Sequence, residues 1–136
     1  MTTSWQRSPS KQKEDITWER VYELCQAIEC QLYITHPNIQ VIAGVYKGGM
    51  IPASIIAYMH KCDVITVELP EELAKYKQEN VLLIDDVCDT GETFKKFKHL
   101  TEMTKACLVV KPWADPMPDI VAHWSQNWVV FPWERS

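Results

Sequence analysis

VLLIDDVCDTGETF, from Val81 to Phe94, places four apolar residues ahead of two adjacent aspartates, then a third aspartate before Thr-Gly-x-Thr. The apolar run reads as a strand buried on both faces. Gly91 permits a tight turn, and the amides from Cys88 to Thr93 can line one concavity. Thr90 and Thr93 add hydroxyl donors, and the pattern that follows is helical, with an N-terminus that favours an anion. The loop therefore reads as a phosphate cradle. The Walker pattern G-x-x-x-x-G-K-[ST] does not occur in the chain, which disfavours a P-loop nucleotidase. Asp85 and Asp86 would repel a phosphate; as acceptors they suit vicinal hydroxyls, or a magnesium ion and its waters. A ligand with a phosphate at one end and a hydroxyl-rich middle, such as a ribose 5-phosphate, meets both demands. Asp89 would then face the anomeric end, where a proton acceptor is useful.

Outward from this stretch, strands and helices alternate. A helix begins after Thr17, with Trp18, Val21, Leu24, Cys25, Ile28 and Leu32 at three- and four-residue steps. Thr17 can cap it, and HPNI ends it. IQVIAGV reads as a buried strand, YKGG as a turn and MIPASIIAYMH as a helix with Pro52 in its first turn. DVITVEL is a strand and PEELAKYKQEN a polar link with a helical turn or two. ETFKKFKHLTEM is expected to be one helix with Phe94, Phe97, Leu100 and Met103 on one side. ACLVVK is a further strand, and short strands are expected near Ile120 and Val129. This alternation predicts an α/β fold with a mainly parallel sheet flanked by helices. Ligands of such sheets bind beyond the carboxyl ends of the strands. YKGG and DDVCDTGET both fall there, so they should border one cleft.

With 136 residues, one domain is expected, spanning 16–136 after a flexible tail at 1–15. The polar start MTTSWQRSPSKQKED lacks the apolar core of a secretory signal, and no apolar run reaches membrane-spanning length. A net charge of −4 offers no overall basic field for nucleic acid. Five cysteines without a C-x-x-C pair fit reduced thiols and a cytoplasmic setting. The four histidines show no metal-ligand spacing.

VLLIDDVCDTGETF resembles the phosphoribosyl pyrophosphate (PRPP) motif of the type I phosphoribosyltransferases. The aspartate before Thr-Gly is a mark of their 6-oxopurine branch. The resemblance runs in order from Ile16 to Glu134 and is strongest to bacterial xanthine-guanine members, through ITW, VYKGGMIPASIIA, VVKPW and NWVVFPWE. It implies a Mg2+-dependent transfer of phosphoribosyl from PRPP to guanine, xanthine or hypoxanthine by a homodimer or homotetramer. Lys47, Gly48 and Gly49 would hold pyrophosphate, with a cis peptide at Tyr46–Lys47. Asp85 and Asp86 would accept from the ribose hydroxyls and serve the metal indirectly. Residues Cys88, Asp89, Thr90, Gly91, Glu92 and Thr93 would hold the 5-phosphate, and Asp89 would handle the proton on purine N7. Lys111 would donate to the C6 oxygen, Trp128 would stack on the base, and the Val129 backbone would meet its edge. Trp5, Trp18, Trp113, Trp124 and Trp133 read as packing or interface residues.

The chain departs from that family at three places. A long hood bearing a Ser-Tyr pair is replaced by PEELAKYKQEN, where Tyr76 is a possible substitute. Lys47 stands where arginine is usual, giving a point charge for a bidentate fork. Val130 stands where an acid often reads the purine 2-position. The short hood leaves open a non-catalytic alternative, a PRPP or nucleotide sensor of the same fold. A phosphoacceptor domain, which also carries paired aspartates at a strand end, would have no use for Thr-Gly-x-Thr.

Overall fold

A computed structural model describes residues 12–134. The expected tail at 1–15 falls largely outside these residues, as does Trp5. Its last part is not a tail: Lys13–Asp15 form a strand, β1, paired in parallel with a late strand, β7 (Trp128–Val130). The physical reason is a set of bonds to Glu14 described below.

Thr17 caps helix α1 (Trp18–Thr35), its hydroxyl accepting from the Arg20 amide at 3.0 Å. Val21, Leu24, Cys25, Ile28 and Leu32 are buried along one side. Trp18 is half-exposed and tilts against Trp133 at 5.8 Å. Helix α2 (Met50–His60) follows strand β2 (Val41–Val45) and closes on Lys61 in the left-handed region.

With β3 (Asp63–Val67), β4 (Val81–Cys88), β5 (Thr104–Val110) and β6 (Ile120–Trp124), β2 builds a parallel five-stranded sheet ordered β3-β2-β4-β5-β6. Its inner strands β2, β4 and β5 are covered on both faces, which is why they appear as continuous apolar runs. Ile42, Leu82, Ile84, Ala106 and Leu108 pack with α1 and α2. Val41, Ala43, Leu83 and Cys107 face the other way, onto Leu73, Phe94, Phe97 and Met103.

The single helix expected over ETFKKFKHLTEM is not one. Only α3 (Glu92–Lys95) is α-helical; beyond it the Phe97, Lys98, Leu100 and Met103 amides donate to carbonyls three residues earlier. Phe94, Phe97, Leu100 and Met103 recur every three residues, and a three-residue turn keeps such a row on one face. The buried row thus favours the tighter winding. The link between β3 and β4 contains two 3-10 turns, Pro70–Leu73 and Gln78–Asn80. Leu73 is buried in the core and Tyr76 packs beside it.

Candidate active site

Because β2, β4 and β5 are parallel neighbours, the loops after them emerge side by side. The turn after β2 lies directly against the acid pair of β4: a Cβ added to Gly48 would fall 2.5 Å from the carboxylate carbon of Asp86. The expected shared border of YKGG and DDVCDTGET is therefore present. The Tyr46–Lys47 peptide is cis. The Gly49 amide donates to the Val45 carbonyl at 2.8 Å, and a Cβ there would meet the Val45 amide nitrogen at 2.6 Å. Gly49 is thus a packing residue beneath the turn, and its amide is already engaged.

Residues 87–93 line a cavity of about 120 Å³. Gly91 bends the loop at φ 95°, and a side chain there would run into the Asp115 carbonyl. The segment after β5 is pinned to the same loop, with the Lys111 amide on the Cys88 carbonyl at 2.9 Å and the Asp115 amide on the Thr90 carbonyl at 3.1 Å. The Glu92 carboxylate is exposed and 3.8 Å from Lys95, so of this residue only the backbone is offered to the cavity. Since α3 has a single turn, its dipole gives an anion little help. The loop amides and the Thr90 and Thr93 hydroxyls are what the cavity offers.

Asp85 and Asp86 are both buried, and their carboxylates interact with each other. Asp86 accepts from the Trp133 indole at 3.3 Å and the Val87 amide at 2.7 Å, beside Gly48. Asp85 accepts from the Asp86 amide at 2.8 Å. Burial, then the Asp86 charge, pushes Asp85 up to about 8. A carboxyl raised in the fold stabilises the folded state below about pH 4 and loses that contribution as pH rises through its folded value. Asp85→Asn, which keeps the acceptor oxygen, should therefore gain thermal midpoint over the unaltered chain between about pH 5 and about pH 8. Thermal scans across that range check it, and a gap that shrinks with pH would contradict it.

Asp89 accepts from the Trp113 indole at 2.9 Å. Trp113 and Trp133, expected only to pack, each donate to a site carboxylate; Trp133 also stacks on Phe131 at 4.7 Å. Lys111 is buried and donates through Nζ to the Asn127 carbonyl. Burial pulls its pKa down, partly offset by the charges of Asp89 and Glu14. Trp128 is 61% exposed, with the Lys13 ammonium 5.8 Å from its ring centre. Val129 lies in β7, opposite Glu14. A cavity of about 570 Å³ adjoins the Lys111 segment and is lined by Pro112, Met117, Trp124, Ser125 and Gln126.

The donor set suits a hard cation such as magnesium, since the acid pair supplies oxygens alone. Among the described residues no three His, Cys, Asp or Glu side chains gather for a metal. A cation here would need oxygens from a bound ligand as well.

No family model matches the chain. It is 29% identical to a xanthine-guanine phosphoribosyltransferase of Nitratidesulfovibrio vulgaris, over 89% of this chain and 84% of that protein. A purine phosphoribosyltransferase crystal structure from Pyrococcus horikoshii is 31% identical and superposes with a TM-score of 0.75, over 91% of this chain and 95% of the other. The Helicobacter pylori xanthine-guanine-hypoxanthine phosphoribosyltransferase superposes with a TM-score of 0.76 over 90% and 94% of the two chains. At 17% identity that last likeness speaks for the fold alone.

Proposed function

The chain belongs to the purine phosphoribosyltransferases of the type I fold, and from that premise we propose that it transfers phosphoribosyl from PRPP to a 6-oxopurine. The products are a nucleoside 5'-monophosphate and pyrophosphate. The observation that supports this reading is the seating of Gly48 against the Asp86 carboxylate, the closeness expected if the first loop meets pyrophosphate and the acid meets the ribose of one substrate.

In this reading the amides and hydroxyls of residues 88–93 hold the 5-phosphate. Asp85 and Asp86 accept from the ribose hydroxyls, Asp86 beside the pyrophosphate turn. Lys47 and Gly48 meet the pyrophosphate, with Gly49 packed beneath. Asp85 and Asp86 would hold Mg2+ indirectly, through ribose hydroxyls or water, and the ion would supply positive charge against the departing polyanion. Asp89, steadied by Trp113, takes the proton from the attacking base. Trp128 gives the base a flat face, and the Val129 backbone meets its edge. The ammonium of Lys111 has only donors, so it favours an oxygen at purine C6 over an amino group. We assign the protein to purine salvage in the cytoplasm, as a dimer or tetramer. Its five unpaired thiols fit a reducing compartment. No described helix is long and apolar enough to cross a membrane.

An assay with PRPP, Mg2+ and a panel of free bases tests the proposal. Nucleotide should form with guanine, xanthine or hypoxanthine and not with adenine. The compact β3–β4 link, with Tyr76 half-buried and packed against the core, favours a sensor as the second reading. Binding of PRPP without turnover would select it. Lys111→Ala should weaken oxopurine binding by about tenfold or more and leave PRPP affinity unchanged. Unaltered purine affinity in a binding titration would remove Lys111 from the site.

A further inference from the structure

β1 has only three residues, and two backbone bonds flank its ladder: Trp128 amide to Gln12 carbonyl and Ile16 amide to Val130 carbonyl, each 2.9 Å. So short a strand gains little from its ladder alone. Its middle residue adds a different kind of tie. The Glu14 carboxylate accepts from Ser125 Oγ at 2.7 Å and Asn127 Nδ2 at 3.2 Å through one oxygen, and pairs with His123 Nε2 at 2.9 Å through the other. Ser125 Oγ in turn accepts from the Asn127 amide at 3.0 Å. The backbone amide and the side chain of Asn127 are thus both held on the Glu14 side, and its carbonyl receives Lys111 Nζ. The next residue is Trp128.

We infer that Glu14 is a positioning residue for base recognition, fixing the 123–127 segment so that the Asn127 carbonyl aims the Lys111 ammonium and Trp128 stands at the mouth of the site. This rests on the reading of Lys111 and Trp128 as base-binding residues. An ammonium carries three donors; one is committed to Asn127, which fixes the cone through which the other two can reach a ligand oxygen. Without Glu14 the segment loses three side-chain bonds, and Lys111 loses its aim. The Glu14 charge also favours the protonated form of Lys111, the form that donates. Bonds of this charge-assisted kind are the stronger class, and a buried lysine held by one carbonyl is sensitive to where that carbonyl sits.

The test measures both substrates in the intact chain. Glu14→Ala should raise the KM for guanine, xanthine or hypoxanthine about tenfold, with the KM for PRPP and kcat at saturation unchanged. Glu14→Gln, which keeps the volume and one acceptor oxygen, should fall between the two. In a Lys111→Ala background, Glu14→Ala should add little, because the two act as one unit. Equal losses for both substrates, full additivity, or a lowered thermal midpoint with the purine KM unmoved would each overturn the inference. Should Glu14→Ala fail to fold, the same comparisons are read from Glu14→Gln. Equilibrium binding of the free bases separates the two levels of the argument. If the unaltered chain binds no oxopurine, the functional reading falls and the inference with it. If it binds one and the Glu14 variants bind it equally well, the inference alone falls.

Discussion

Asp89→Asn should slow turnover by about 10²–10⁴-fold, the usual contribution of a general base, with PRPP binding nearly untouched. The exchange is isosteric. The amide oxygen can still accept from the Trp113 indole, which bonds Asp89 at 2.9 Å, so the loop keeps its shape. In the proposed reaction, what disappears is the capacity to take a proton from the attacking purine nitrogen. Single-turnover rates and PRPP titrations on the same preparation check this. Parallel losses in rate and PRPP affinity would move Asp89 from proton transfer to substrate holding.

Gly48→Ala should lower kcat/KM for PRPP by about 10²-fold, the scale of a misplacement near 1 Å in a catalytic constellation. The new methyl would sit 2.5 Å from the Asp86 carboxylate carbon, where no carbon can remain. Asp86 has little room to retreat, since the Val87 amide and the Trp133 indole both hold it. Either the acid leaves the ribose hydroxyls or the turn leaves the pyrophosphate. Thermal unfolding should change far less than activity, because both partners lie at the rim of the sheet. A variant with native kinetics would break the link between turn and acid pair on which the cleft depends.

The centre of the sheet was legible in the sequence because its inner strands are buried on both faces, and VLLI or VIAGV allow little else. The meeting of the two loops followed from parallel topology rather than from either loop. The segment after Thr93 was misjudged because a three-residue and a 3.6-residue repeat coincide over the first turns, and only tertiary packing chooses between them. β1 was missed outright. KED carries no apolar period, and its pairing depends on a carboxylate more than a hundred positions away from its partners. The indoles of Trp113 and Trp133 escaped for a related reason: a buried Trp N–H needs an acceptor, but sequence does not say which. The engagement of the Gly49 amide by Val45 was likewise a matter of turn geometry, invisible in the letters KGG.

The union of β1 with β7 also imposes an order on biosynthesis. Glu14 emerges from the ribosome early and must wait for Ser125, 111 positions later, before it finds its partner. A nascent chain that has released everything through Val110 carries both loops, but the Lys111 and Asp115 amides that pin the second, and the Trp133 indole that holds Asp86, are still to come.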